Sequence, residues 1–395
     1  MHLELEPEQV RLREELREYF ADLVTPEVRA GLSSATGEFG DAGVYKDVIR
    51  RLGTDGWLGI GWPKEYGGQA RSMVDQLIFT DAAAVAGVPV PYLTLNTVGP
   101  TIMHYGTQEQ KDYFLPRILA GDLHFSIGYS EPGSGTDLAS LQTRAVREGD
   151  EWVINGQKMW TSLIQYADWI WLACRTDADL PRHKGLSMIL VPADAEGFSY
   201  TPVHTVAGVH TSATYYQDVR VPVTNLVGEL NRGWPLITDQ LNKERVALTS
   251  AAPLQQSLRL VREWAQQTKN PDGQRVIDAE WVQIALGRAH ARIDMLTQLN
   301  WKLTSDADLG IALSPAEASA TKIYGSELAI EVYRSLMEVV GPHAGLTGDS
   351  EGAVLAGRLE RYHRSSLVMT FGAGTNEIQR DIIGYVGLGL PAASR

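Results

Sequence analysis

Trp152-Val-Ile-Asn-Gly-Gln-Lys-Met-Trp160 decides how this chain folds. Two short runs of β-forming residues flank Asn155-Gly156, the dipeptide that most strongly signals a tight hairpin because both central residues must reach positive φ. Further runs follow at Trp169 to Arg175, Leu186 to Val191, Tyr200 to Val206 and Thr214 to Val221. Several short strands at this spacing predict a small antiparallel barrel or sandwich, not a parallel nucleotide-binding sheet. The β-rich region covers about residues 126–235, and the hydrophobic period changes on either side of it.

Upstream, Pro7 to Leu23 pairs a first-turn proline and glutamate with Val10, Leu12, Leu16, Tyr19, Phe20 and Leu23, a spacing that lines one helix face. Tyr45 to Leu52, Met73 to Ala86 and Glu109 to Leu119 have the same character. Downstream, four helical segments are expected at about 235–268, 275–304, 315–340 and 352–386. The third opens with Ser314-Pro-Ala-Glu317, a predicted capping box with proline at N1. Its expected buried face is Ala316, Ala320, Ile323, Ile330, Tyr333, Met337 and Val340. The fold class is therefore α+β: an N-terminal helical domain (1–125), a central small antiparallel β-barrel (126–235) and a C-terminal four-helix bundle (236–395).

The 395 residues fit two or three domains at roughly 150 residues each. With 35 basic and 48 acidic side chains the net charge is −13, which opposes nonspecific binding to nucleic acid or to an anionic membrane. An anionic ligand would need a local cation. The single cysteine, Cys174, excludes an internal disulfide framework and any multi-cysteine metal site. No basic segment followed by an apolar core opens the chain, so the expectation is a soluble, cytoplasmic protein.

General catalytic signatures are absent: there is no Walker A loop, HExxH or GxSxG elbow. Gly59-x-Gly61, Gly133-x-Gly135 and Gly372-x-Gly374 lack the third glycine of a dinucleotide fingerprint. The nine histidines do not fall at metal-ligand spacing, and His204 and His210 read as loop or strand residues, so no metal site is expected.

What stands out is a set of local patterns in fixed order. Tyr129-Ser-Glu-Pro-Gly-Ser-Gly-Thr-Asp137 opens the β region and Asn155-Gly-Gln-Lys-Met-Trp-Thr-Ser162 follows; Glu244-Arg245 and Phe371-Gly-Ala-Gly-Thr-Asn-Glu-Ile-Gln-Arg380 come later. With Trp62-Pro-Lys-Glu-Tyr-Gly-Gly68 and the helix start Gly106-Thr-Gln-Glu-Gln-Lys111, the chain resembles the acyl-CoA dehydrogenase family over nearly its whole length.

The resemblance implies FAD as cofactor, an acyl-CoA substrate, and an electron-transfer flavoprotein or similar acceptor. It implies cofactor contacts at Tyr129, Ser130, Thr136, Trp160, Thr161, Ser162, Thr375 and Glu377, with Ser162 near the flavin N5. Hydroxyls and backbone donors among glycines suit a flavin's carbonyls and phosphates, and Trp160 offers a flat apolar wall. Taken alone, Trp160 reads first as a barrel-core aromatic and 130–137 as a tight loop, and the resemblance reverses that order. The reaction implied removes a proton from the carbon α to a thioester and a hydride from the β carbon, which needs a carboxylate in a water-poor pocket and donors for the enolate oxygen.

Most members of the family carry that carboxylate at the position of Ala373. In the isovaleryl-CoA dehydrogenase branch it stands instead before an arginine, where this chain has Glu244-Arg245. The resemblance thus makes Glu244 the expected base and the Ala373 N–H an oxyanion donor; the alternative for Glu244 is an exposed helical acid beside a salt-bridging arginine. Thr136, Asn242, Arg245 and Gly374 are the implied substrate contacts, and Gly372-Ala-Gly374 leaves room for a bulky or branched acyl group. Two further departures concern the neighbouring subunit. Thr268-Lys-Asn-Pro-Asp-Gly-Gln-Arg275 lacks the family's Arg-x-x-Phe-Gly pattern, and Glu338-Val-Val-Gly-Pro342 puts an acid where a neutral amide is usual. Both suggest a hetero-oligomer with a homologous partner, similar to the α subunits of α2β2 acyl-CoA dehydrogenases of actinobacterial steroid side-chain degradation. A catalytically inactive supporting subunit and an acyl-CoA oxidase are the alternatives.

Overall fold

The computed structural model describes residues 4–33, 40–208, 210–247, 249–348 and 350–391, with the side chains of 242–247 outside that description. Six helices come first: α1 (Pro7–Leu23), α2 (Pro26–Leu32), α3 (Ala42–Thr54), α4 (Met73–Ala86), α5 (Gly99–Tyr105) and α6 (Gln108–Leu119). The apolar spacing gives the ends of α1 and α4 correctly, because caps fix them. Glu6 and Gln9 exchange side-chain and backbone bonds at the start of α1, Ser72 Oγ accepts from Asp75 N at 3.0 Å, and Thr107 with Gln110 closes a capping box on α6. Between α4 and α5, Leu93–Val98 winds as a π-turn, a wide helical turn often found beside functional sites.

Eight strands follow: β1 (Phe125–Gly128), β2 (Arg144–Glu148), β3 (Glu151–Lys158), β4 (Trp169–Arg175), β5 (Leu186–Pro192), β6 (Phe198–His204), β7 (His210–Pro222) and β8 (Leu226–Val227). They form one sheet in the order β6-β7-β3-β2-β4-β5-β8, with β1 also on β4. Most pairs are antiparallel, but β1 joins β4 in parallel, and β2 meets β4 in parallel at Arg144 and Arg175. The expected hairpin at Asn155-Gly156 is not a turn. Strand β3 runs straight through it with a bulge against β7, where Asn155 Nδ2 donates to Asp218 Oδ1 at 2.8 Å and Asp218 N donates back to Asn155 Oδ1. Glycine is needed at 156 because a Cβ there would lie 2.5 Å from Thr143 Oγ1. The tight turn is Gly149-Asp150, between the paired Glu148 and Glu151, with Gly149 at φ 64°.

The period-two pattern of β4 divides two cores. Ile170, Leu172 and Cys174 pack with Trp152, Ile154, Ile189 and Val191 inside the β domain. Trp171 and Ala173 face the other way, joining Leu186, Met188 and Leu190 in the core of the N-terminal helices.

The C-terminal part contains α7 (Gly233–Ala247), α8 (Ala252–Gln267), α9 (Glu280–Asp308), α10 (Pro315–Val340), α11 (Arg358–Ser366) and α12 (Asn376–Ile382). The segment expected at 235–268 is two helices, since Pro253 in the first turn of α8 cannot donate to a helix continuing from before it. The segment expected at 352–386 is broken into short helices around the turn 371–374. Ser314 is the N-cap of α10 with Pro315 at N1, but no capping box forms: the Ser314 side chain makes no cap bond, and Glu317 pairs with Lys302 at 2.9 Å. Tyr333 and Val340 are buried as expected, but in the first half of α10 the buried face differs from the expected one. Ala320 is exposed, whereas Ala318, Ser319, Thr321, Lys322, Gly325 and Ser326 are buried. Small and polar side chains fill that face because it packs against the 372–379 segment, so the apolar pattern does not mark it. Among the described residues no helix is long and apolar enough to cross a membrane.

Candidate functional site

The first wall of the site is the loop after β1. Tyr129 and Ser130 lead into Glu131, whose backbone N–H and C=O both bond Ser134 and close the loop on itself. The Glu131 carboxylate accepts from Gln142 N at 2.7 Å, Thr143 N at 2.8 Å and Lys158 Nζ at 2.9 Å. Burial pushes this carboxyl up, but the charge of Lys158 and the hydrogen bonds outweigh it and hold the group below its ordinary value. Lys158, wholly buried, also donates to the Tyr129 carbonyl at 3.0 Å. Neither Lys158 nor Glu131 belongs to the expected site residues, yet the strand alternation holds the clue. Positions 152, 154 and 158 share one inward parity, and a lysine on that side needs an acid.

The second wall is Trp160-Thr-Ser162. Met159 N donates to Ser130 O at 2.8 Å and Thr161 N to Ser212 O at 2.9 Å, so the backbone is pinned on both sides of Trp160. Between those pins Trp160 takes φ 62°, and its indole is 57% exposed. A bulky residue in the left-handed region costs roughly 1–3 kcal/mol and persists where its surroundings over-determine it. Trp160 is therefore no barrel-core aromatic. Thr161 is buried against Thr214, 3.2 Å between hydroxyls, and Ser162 Oγ donates to Thr211 Oγ1 at 3.3 Å. The structure thus brings Tyr129 and Ser130 beside Trp160, Thr161 and Ser162, while Thr136 lies exposed at the end of its loop.

The third element is α7. Its residue Gln240, fully buried, accepts from the Tyr129 hydroxyl and donates to Thr97 Oγ1 at 3.2 Å. Asn242, Glu244 and Arg245 lie on the next turn of the same helix; their side chains are outside the described residues.

The fourth is the turn Gly372-Ala-Gly-Thr375. Ala373 is buried with φ 54° and Gly374 has φ 89°. Side chains hold both carbonyls: Gln379 Nε2 donates to Ala373 O at 3.1 Å, and Lys322 Nζ donates to Gly374 O at 2.9 Å and Asn376 Oδ1 at 2.7 Å. Ser319 Oγ fixes Gln379 from behind at 2.7 Å. Thr375 caps α12 by accepting from Ile378 N, and Glu377 is exposed in its first turn, where the helix-start hydrogen bonds lower its pKa. No direct bond joins this turn to the Trp160 wall among the described residues. A bond from the C-terminal part to the β domain on this side is made by Arg364, whose Nη1 donates to Val206 O at 2.8 Å.

The donor set suits a planar ring with polar edges: an exposed indole face, hydroxyls at 130 and 162, and glycine-rich backbone at 133–135 where an added Cβ would meet nothing. Elsewhere, Lys269 to Arg275 forms a compact turn in which Arg275 is paired with Asp278 at 2.7 Å. His204 and His210 close the β6–β7 hairpin as a cross-strand pair with ring nitrogens 3.0 Å apart, a meeting their spacing does not reveal.

Three family models cover the chain: Acyl-CoA dehydrogenase, N-terminal domain, over residues 6–122; the middle domain over 126–219; and the C-terminal domain over 231–388. Acyl-CoA dehydrogenase FadE26 of Mycobacterium tuberculosis is 62% identical, and FadE29 of the same organism 44%, each over the full length of both chains. Among solved structures, the chain is similar to the ChsE4-ChsE5 complex from Mycobacterium tuberculosis, with TM-score 0.93 and 62% identity over 100% of both chains. It is also similar to the Tcur3481-Tcur3483 steroid ACAD, with TM-score 0.92 and 48% identity at the same coverage.

Proposed function

The chain belongs to the acyl-CoA dehydrogenase family, and on that premise we propose that it carries out α,β-dehydrogenation of a bulky acyl-CoA with Glu244 as the proton acceptor. The observation that carries this reading is Ala373. A side chain without a proton-accepting group sits buried at a turn held by Lys322 and Gln379, so the acid must come from elsewhere. Glu244, on a helix whose preceding turn is bonded to Tyr129, supplies one.

The residues that would hold FAD are Tyr129, Ser130, Thr136, Trp160, Thr161, Ser162, Thr375 and Glu377. Bound FAD supplies the acceptor for the hydride that leaves the β carbon. Within the chain, the Ala373 N–H donates to the thioester oxygen and stabilises charge developing there, while Glu244 takes the α proton. Asn242 and Gly374 line the path of the thioester arm. Arg245 provides the cation that an anionic CoA requires on a chain of charge −13.

The steroid side-chain class of acyl group is supported by the likeness to the Tcur3481-Tcur3483 steroid ACAD. A homologous partner subunit is supported by the likeness to the ChsE4-ChsE5 complex and by Thr268 to Arg275, which lacks the family's Arg-x-x-Phe-Gly pattern. The electron acceptor we assign is an electron-transfer flavoprotein or a similar carrier.

The test is Glu244→Gln in the FAD-loaded protein, purified with any partner it brings. The variant should retain FAD and lose substrate-driven bleaching of the flavin under anaerobic conditions. Bleaching at the normal rate would remove Glu244 from the mechanism.

A further inference from the structure

Four buried side chains from the three parts of the fold make one continuous line of hydrogen bonds. Trp171 Nε1 donates to Tyr129 Oη at 3.1 Å, and the Tyr129 hydroxyl donates to Gln240 Oε1. Gln240 Nε2 then donates to Thr97 Oγ1 at 3.2 Å, and Thr97 Oγ1 donates to the Leu93 carbonyl at 2.5 Å. Trp171 and Tyr129 belong to the β domain, Gln240 to α7, and Thr97 and Leu93 to the π-turn.

The direction of the line is fixed by its ends. An indole N–H can only donate and a carbonyl can only accept, so Tyr129 must pass its proton toward Gln240, and Thr97 must pass its own toward Leu93. That leaves one orientation for the Gln240 amide, with oxygen toward Tyr129 and nitrogen toward Thr97. Trp171, Thr97 and Gln240 are fully buried and Tyr129 is 8% exposed, so a lost bond cannot be replaced by bulk water.

Gln240 lies one helical turn before Glu244 on α7. Fixing its amide at both ends sets the rotation and depth of that helix against the loop that carries Ser130 and against the π-turn. We infer that Gln240 is a positioning residue, holding the turn of α7 that bears Glu244 at the working distance from the loop of Tyr129 and Ser130. This rests on the reading of Glu244 as proton acceptor.

The experiment compares Gln240→Met and Thr97→Val, singly and together, with the parent, all as FAD-loaded protein with any co-purifying partner. Methionine keeps the length of glutamine and removes both bonds. Misplacement of a reacting group by about 1 Å can cost on the order of 100-fold. Gln240→Met should therefore slow substrate-driven bleaching about 10- to 100-fold, with less than a threefold change in KM and with FAD content unchanged. Thr97→Val should slow it in the same way, and the Thr97→Val/Gln240→Met double variant should be no slower than Gln240→Met, since the line is already broken.

Parental bleaching rates in both Gln240→Met and Thr97→Val would overturn the inference, as would strictly additive losses in the double variant. If Gln240→Met does not fold, Thr97→Val decides alone. Glu244→Gln run in parallel separates the two levels: normal bleaching there defeats the assignment of the base, whereas a dead Glu244→Gln beside a fully active Gln240→Met defeats only the positioning role.

Discussion

Lys158 and Glu131 meet at 2.9 Å with almost no exposure to solvent, and the same ammonium holds the carbonyl of Tyr129. The pair therefore links the strand that ends beside Trp160 to the loop that supplies Ser130. Each charge leans on the other, because both have left water and backbone bonds supply the rest of their partners.

Removing one charge leaves the other buried and uncompensated, which costs about 3–5 kcal/mol. Lys158→Met should lower the urea midpoint accordingly, and Lys158→Met with Glu131→Gln should recover part of the loss. A single variant as stable as the parent would show that the pair does not hold the loop.

Acid should weaken the fold through His124. Both ring nitrogens are buried without a partner, and burial pushes the imidazole pKa down to about 4, with Asp168 offsetting only part. The unfolded chain takes up this proton near the ordinary value of about 6.5, the folded one only near 4. The group's contribution is thus fully present above about pH 7 and lost as the pH falls toward 4, about 2 kcal/mol of it by pH 5. Chemical denaturation at pH 7 and pH 5 checks this: His124→Phe should lose less stability between the two than the parent, and an equal loss would refute it.

Trp160→Ala separates a cofactor wall from a packing residue. With the indole largely outside the core, the substitution should leave the unfolding midpoint of the cofactor-free protein within about 0.5 kcal/mol. FAD affinity should fall about tenfold, the loss of one aromatic contact worth about 1.4 kcal/mol. Retained affinity with a large drop in stability would reverse the assignment.

Gly374→Ala probes the turn beneath the thioester. The position has φ 89°, and an added Cβ would lie 2.7 Å from Gln379 Nε2, itself held by Ser319. The change should cost about 1–2 kcal/mol for the left-handed backbone alone and slow bleaching by disturbing Ala373, with FAD content preserved. A rate equal to the parent's would show that this turn does not present the oxyanion donor.

Much of the architecture is legible in the amino-acid sequence. The apolar spacing of Pro7 to Leu23 and Met73 to Ala86 and the alternation of Trp169 to Arg175 correspond to observed elements, because each buries one face against one neighbour. Prediction failed where a residue answers to two neighbours at once. Asn155-Gly156 has turn chemistry, but cross-strand bonds to Asp218 and the close approach of Thr143 keep it in the strand, opposite a bulge in β7. The polar face of α10 carries Lys322 and Ser319, whose partners lie more than fifty residues away, so no local pattern announces them. Trp160 and Ser162 stand out through their motif, whereas Gln240, four residues before Glu244, has no motif and emerges only from the contacts at its amide.

Leu236 and Ile237 of α7 pack with the N-terminal helices and the sheet, while α8, α9 and α10 enclose a core of their own. The polypeptide from α7 onward is consequently not autonomous from its first helix. A fragment beginning at Gly233 would carry two orphaned aliphatic side chains, and its complement would have a hole where they belong. Dissection by recombinant halves should leave a more soluble N-terminal piece with the cut after α7 than before it, because that helix then keeps Leu236 and Ile237 in their core.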